Sequence, residues 1–209
     1  MINGIDVSHW QLVADWGKVS DAGYRFAFLK ATDGMAGTDP SFKVNLPACR
    51  RARVLAGAYH FFRPLEPFGA QAEAFLTQAQ GVSLAALDLE WTKTAVHEVE
   101  DWDQVSADSR MNYVRGWLEQ VEAAGVTPVV YTSTAFIQQY LSGADFLSRY
   151  PLWIPRYADS AGELPAPWAK WTFWQHSCMG RVEGIVGKVD LNIFDGSEEE
   201  LRFIFRDPG

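Results

Sequence analysis

The chain has 209 residues, 48% of them hydrophobic, and a formal net charge of −8. That length buries a sizeable core without disulfide or metal staples. The negative balance excludes a sequence-independent grip on nucleic acid or anionic membranes, both of which need a positive field. No apolar run is long enough to span a bilayer, so neither nucleic-acid partners nor membrane insertion is expected.

From the N-terminus, MINGIDVSHW lacks the charged segment and apolar stretch of a secretory leader, so release by lysis or a non-classical export route is expected. It opens a first strand at 2–8. Further β-like runs at 25–32, 54–62, 83–91, 127–133, 151–158, 172–177 and 188–194 bring the predicted strands to eight. Helical patterns follow the first five, at 15–22, 40–53, 68–80, 107–124 and 134–148. In the fourth, Met111, Val114, Leu118 and Val121 recur at helical spacing ahead of Gly125, a stop signal. DSAGELPAPWAKW, after the sixth strand, carries proline and glycine and reads as a loop. CMGRVEGIVG, after the seventh, reads as a hairpin or turn. Ser197 and Glu200 form a capping box ahead of Leu201, Ile204 and Phe205, which predicts a closing helix. The pattern predicts an α/β fold: an irregular single-domain β/α barrel over residues 1–209, with five β/α units followed by three strands with few or no helices.

Reacting groups in such a barrel come from the C-terminal ends of the strands. Asp6 lies late in the first strand, Asp33 just after the second, Asp88 and Glu90 at the end of the fourth, and Asp190 mid-run in the eighth. The fourth strand, LAALDLEW, embeds two acids in an apolar run, where an unpartnered carboxylate costs at least several kcal/mol. Side chains two apart on a strand share a face, about 6.5–7 Å apart along the backbone, while Leu87 and Leu89 point the other way. Carboxylates so close do not both ionise readily, and a protonated acid beside an ionised one is what glycosidic cleavage requires. Glu90, with the longer arm and nearer the mouth, is the expected proton donor, and Asp88 steadies whatever attacks the sugar. A structural ion pair with Lys30 or Arg156 is the competing reading.

Tyr59, His60, Tyr131, Trp153, Trp174 and Gln175 fall near strand ends and suit the wall of a carbohydrate groove. His9, His60, His97 and His176 lack zinc-site spacing, and Cys49 and Cys178 fit no metal or disulfide framework. No metal, no cofactor and two free, buried thiols are expected.

Together these residues resemble the glycoside hydrolase family 25 muramidases, or lysozymes. GIDVSHWQ, FAFLKATDG followed by DPSF, AGAYHFFRP followed by QAEAFL, LAALDLEW, PVVYTS, PLWIPRYA, FWQHS and GIVGKVDLNIF run in the family's order over almost the whole chain. The resemblance implies a flattened, incomplete β/α barrel. It also implies hydrolysis of the β-1,4 bond between N-acetylmuramic acid and N-acetylglucosamine in bacterial peptidoglycan, whose glycan strands would be the partner of a monomer. By the same implication Glu90 matches the general acid and Asp88 the carboxylate two positions before it. Asp6 and Asp190 match acids lining the groove, and Tyr59 and Tyr131 match active-site tyrosines. One position departs: the family reads KATEG, whereas KATDG here draws the Asp33 carboxylate back by about one methylene from any substrate it contacts.

A covalent route would need the second carboxylate about 5–5.5 Å from the acid, and inversion a wider gap. The Asp-x-Glu order also resembles enzymes in which the substrate's own N-acetyl oxygen attacks, and that route is expected. A bare domain without a leader suits a phage endolysin. A glycan-binding barrel without turnover and a chitinase-like hydrolase are the alternatives.

Overall fold

The computed structural model describes residues 1–206. In chain order the elements are β1 (Ile2–Val7), β2 (Leu12–Val13), α1 (Trp16–Asp21), β3 (Phe26–Asp33), β4 (Gly37–Thr38), α2 (Phe42–Arg51), β5 (Leu55–Phe61), α3 (Phe68–Gln78), β6 (Leu84–Leu89), α4 (Ala107–Ala123), β7 (Thr127–Thr132), α5 (Thr134–Tyr140), β8 (Leu152–Pro155), β9 (Phe173–Gly180), β10 (Ile185–Val186), β11 (Val189–Phe194) and α6 (Glu198–Ile204). Short 3-10 turns occupy Asp101–Gln104 and Asp145–Arg149. Eight strands close a barrel in the order β1, β11, β9, β8, β7, β6, β5, β3, with β3 returning to β1. Helices follow the first five barrel strands, and none separates β8, β9 and β11. This is the five-plus-three arrangement expected from the sequence.

The differences have local causes. The sixth strand shrinks from 151–158 to Leu152–Pro155, and the seventh runs on to Gly180. The helix expected at 134–148 stops at Tyr140 and gives way to a 3-10 turn, with Gly143 in the left-handed region (φ 82°) between them. Cys49 is buried as expected, but Cys178 is exposed on β9; both are free. The change that matters for function is direction: β11 runs antiparallel to both β9 and β1. Its first residues, rather than its last, therefore lie at the end of the barrel where the other strands finish. The mid-run position of Asp190 is in fact the second residue of β11, directly opposite Asp6.

Strand alternation divides the interior by chemistry. Phe26 and Phe28 of β3, Leu84 and Ala86 of β6, Val129 of β7, Trp153 of β8, Phe173 of β9 and Phe194 of β11 form the inner core. Leu201 and Phe205, carried by α6 and its C-terminal cap, join that core, and Phe205 packs against Phe26, Phe28 and Phe173 at ring distances of 6.1–6.3 Å. The capping box predicted for α6 is formed, with Ser197 and Glu200 satisfying each other's backbone N–H groups. Gly57 makes room for this packing, since a Cβ there would meet the Phe28 ring at 2.8 Å. Burying each such ring stabilises the fold by about 1.5–3 kcal/mol. The strands' outward faces pack on the helices in a larger second core. One end of the barrel is thus sealed with aromatics, and the polar inward residues are left to the other.

Candidate active site

The inward row of β6 begins with Leu84 and Ala86 and continues into Asp88, so the same alternation that builds the core delivers a carboxylate to the barrel mouth. Glu90 follows one step beyond the strand. Asp6, Asp88, Glu90 and Asp190 line one pocket of about 220 Å³, walled by Tyr59, Tyr131, Trp153, Tyr157 and Gln175. Eight residues read from the sequence as site candidates therefore meet in one place. Asp33 does not line that pocket. Its carboxylate accepts from Lys30 Nζ at 2.9 Å and Arg63 Nε at 2.6 Å.

Two further candidates face elsewhere because a strand cannot present neighbours to the same side. His60, next to Tyr59, points outward, stacks on Trp117 at 5.4 Å, and is held by Thr32 (2.7 Å) and Gln71 (3.0 Å). Burial lowers its pKa to about 4, so it stays neutral. Trp174, next to Gln175, also turns outward, donating to the Arg156 carbonyl at 2.8 Å. Tyr157 is a pocket residue that the strand pattern does not single out: it lies two residues past β8, and its hydroxyl reaches Gln175.

The polar groups form one network. The Tyr131 and Tyr157 hydroxyls both donate to Gln175 Oε1 at 3.0 Å. That fixes the amide, whose Nε2 donates to Asp6 Oδ2 at 2.9 Å. Asn192 Nδ2 donates to the same oxygen at 2.7 Å, and Trp153 Nε1 donates to Asn192 Oδ1 at 2.7 Å. Asn192 is fully buried and has no counterpart among the sequence candidates. Only the antiparallel register, which sets it beside Gln175, brings it under Asp6.

Asp88 has none of this support. Its Oδ1 is buried without a hydrogen-bond partner. Among the described residues neither Asp88 nor Glu90 forms an ion pair, which removes the ion-pair reading: Lys30 is taken by Asp33. The electrostatics follow from burial. Desolvation and the neighbouring Glu90 push the Asp88 carboxyl well above the ordinary carboxylate range. Glu90 rises to about 6, again through burial, with Lys30 and Arg63 holding it down. Asp6 rises to about 7 through burial and the charge of Asp190, against the hydrogen bonds from Asn192 and Gln175. Burial raises Asp190 as well. Tyr59 and Tyr131, pushed far up by burial, remain protonated donors.

Behind the pocket the β6–α4 connection is tied down. Glu100 accepts from Thr92 N, Thr92 Oγ1, Lys93 N and Trp102 N at 2.7–3.2 Å. The fully buried Trp102 donates its indole N–H to the Glu90 carbonyl at 3.0 Å.

A β/α barrel whose mouth gathers acids of raised pKa among tyrosines and a tryptophan defines a glycoside hydrolase, and comparison with known proteins gives its kind. The family model for glycosyl hydrolases family 25 matches residues 5–185, and the chain belongs to that family. Lysozyme M1 of Streptomyces globisporus is 33% identical over 209 residues, covering 96% of this chain and 70% of its own. The protein YegX of Escherichia coli O157:H7, whose function is uncharacterised, is 40% identical over 96% of this chain and 72% of its own. The bacterial lysozyme of Streptomyces coelicolor superposes with a TM-score of 0.92 at 31% identity, over 100% of this chain and 98% of that one. The protein is thus a cell-wall-acting glycoside hydrolase of the lysozyme and muramidase family, and no described helix is long and apolar enough to cross a membrane.

Proposed function

We propose that residues 1–209 act as one catalytic domain that cleaves the β-1,4 bond between N-acetylmuramic acid and N-acetylglucosamine in bacterial peptidoglycan, with Glu90 as general acid and Asp88 assisting the substrate's N-acetyl group. The observation that carries this reading is the buried, unpartnered Oδ1 of Asp88, in the pocket that Glu90 also lines. A muramic-acid acetamido N–H supplies the donor that this oxygen lacks.

That contact also places the proton. A donated N–H favours ionised Asp88 and lowers its pKa, and the charge so formed raises that of Glu90. Glu90 then gives its proton to the glycosidic oxygen as the C1–O bond breaks. The acetamido oxygen bonds to C1 from the opposite face, and Asp88 steadies the cationic oxazolinium through its N–H. Positive charge growing at C1 draws Asp6 and Asp190 toward their ionised forms. Glu90, now a carboxylate, takes a proton from the water that opens the ring, so the configuration at C1 is retained. Protein groups and water suffice, without a cofactor. Trp153, Gln175, Tyr59 and Tyr131 shape the sugar site, and Asp33 acts on it through Lys30 and Arg63. The acting form is a monomer delivered to the wall on lysis, as a phage endolysin would be.

Mass spectrometry of a wall digest tests this directly. The expected product carries new reducing ends on muramic acid, and Glu90→Gln lowers the rate by about 10²–10⁴-fold, the range for loss of a general acid. Reducing ends on glucosamine would remove the bond assignment, and unimpaired Glu90→Gln would remove the acid. An inverted first product would remove N-acetyl participation.

A further inference from the structure

We propose that the protein binds a multiply charged phosphate ligand in a second cavity, at the end of the barrel opposite the carboxylates. This cavity encloses about 700 Å³, three times the catalytic pocket, and Arg50, Arg53, Arg202 and Arg206 line it. Among the described residues none that lines it is acidic, although the chain as a whole carries a net charge of −8. Phe205 and Leu55 supply an apolar floor.

The backbone singles out two of these arginines. After α1 and α4 the chain reverses through glycines in the left-handed conformation, Gly23 (φ 91°) and Gly125 (φ 83°). After α2 and α6 the corresponding residues are Arg53 (φ 59°) and Arg206 (φ 49°), the only non-glycine residues with positive φ among those described. Glycine is the relaxed choice at such positions, so an arginine there holds strained backbone that its own fold does not require. Both line this cavity. At α2, service to the helix end does not account for the arginine, because the last turn already carries Arg50 and Arg51.

The donors are also in surplus. Arg50 commits one nitrogen to the Gly81 carbonyl (2.6 Å) and Arg206 one to the Gly125 carbonyl (2.5 Å). The Arg53 guanidinium makes no hydrogen bond or ion pair with any described residue. Guanidinium forks facing one hollow match phosphate oxygens in paired hydrogen bonds. Since the arginines sit exposed around an open bowl, a phosphodiester chain laid across it uses more of them at once than a single small anion does.

Thermal melts with inorganic pyrophosphate and with a glycerol-phosphate polymer, at low and at raised salt, test the site in the intact chain. At a ligand concentration tenfold above Kd, Tm rises by about 4 °C, and added salt removes the rise. Arg53→Gly with Arg206→Gly melts within about 3 °C of the parent without ligand, because relief of backbone strain offsets the lost hydrogen bond from Arg206 to Gly125, yet binds at least about tenfold more weakly, which is about 1.4 kcal/mol. Its wall-lytic rate is unchanged. A stronger response to the polymer than to pyrophosphate, per phosphate, identifies the phosphodiester source, and an equal response identifies free phosphates. No shift in the parent protein with either ligand, or an undiminished shift in the double variant, overturns the proposal.

Discussion

Glu90 and Asp88 leave the same strand two residues apart, and their environments push them to different pKa values. Glu90, nearer the mouth and within the field of Lys30 and Arg63, is held to about 6, whereas Asp88 lies well above its ordinary range. A general acid works only while protonated, so kcat/KM should fall as pH rises through about 6, the Glu90 value in the free enzyme. The same field gives Asp33 a task despite its absence from the pocket: it fastens both cations, and burial notwithstanding, they hold its own carboxyl below the usual range. Arg63→Gln should therefore move the alkaline limb upward, whereas Asp33→Asn, which deletes a negative charge that itself raises Glu90 and leaves the two cations unneutralised, should move it downward. A pH-rate profile on soluble glycan fragments reads both. An unmoved limb in Arg63→Gln would mean that the guanidinium does not act on Glu90.

At the scale of elements, the β6–α4 connection determines how firmly Glu90 is held. Trp102 packs against Phe62, Phe136 and Tyr140 and reaches the Glu90 carbonyl with its N–H. Trp102→Phe keeps most of the packing and deletes the hydrogen bond. We expect kcat to fall about tenfold with KM within about twofold, the pattern of a group misplaced for the transition state. A proportional rise in KM would instead indicate a binding role. This loop also marks where the sequence stops being legible. Period-two alternation places Asp88, Tyr59, Tyr131, Trp153 and Gln175 on inward faces, because each lies within a regular strand whose adjacent residues turn outward. It also separates Tyr59 from His60 and Gln175 from Trp174, a consequence that a strand-end criterion alone overlooks. Alternation is blind to strand direction, so the reversal of β11, which sets Asp190 against Asp6 and Asn192 beneath it, emerges only from the folded pairing. Tyr157 and Trp102 lie outside regular strands, where no periodic signal exists.

Across the whole molecule the two ends of the barrel oppose each other energetically. The aromatic end stabilises the fold; the carboxylate end destabilises it, because Asp88, Asp6 and Glu90 are buried with raised pKa values. Acids whose pKa folding raises bind their protons more tightly in the folded chain. Their contribution is greatest below the ordinary carboxylate range and is lost as pH rises through about 6 to 7. Asp33 and Asp39 act in the opposite sense: with lowered pKa values they stabilise above the ordinary range and lose that effect as pH falls below it. Tm should therefore be higher at about pH 5 than at about pH 8, between the ordinary carboxylate pKa and the raised ones. Asp88→Asn tests the cause: it removes the charge from a side chain whose Oδ1 already lacks a partner, so no hydrogen bond is forfeited. At alkaline pH it should stabilise by about 2 kcal/mol, or roughly 5 °C, while losing most of its activity. The gain should shrink toward pH 5, where the parent carboxyl is protonated as well. If Asp88→Asn melted lower than the parent at both pH values, the acid would be supporting the fold, and its burial would no longer point to the substrate.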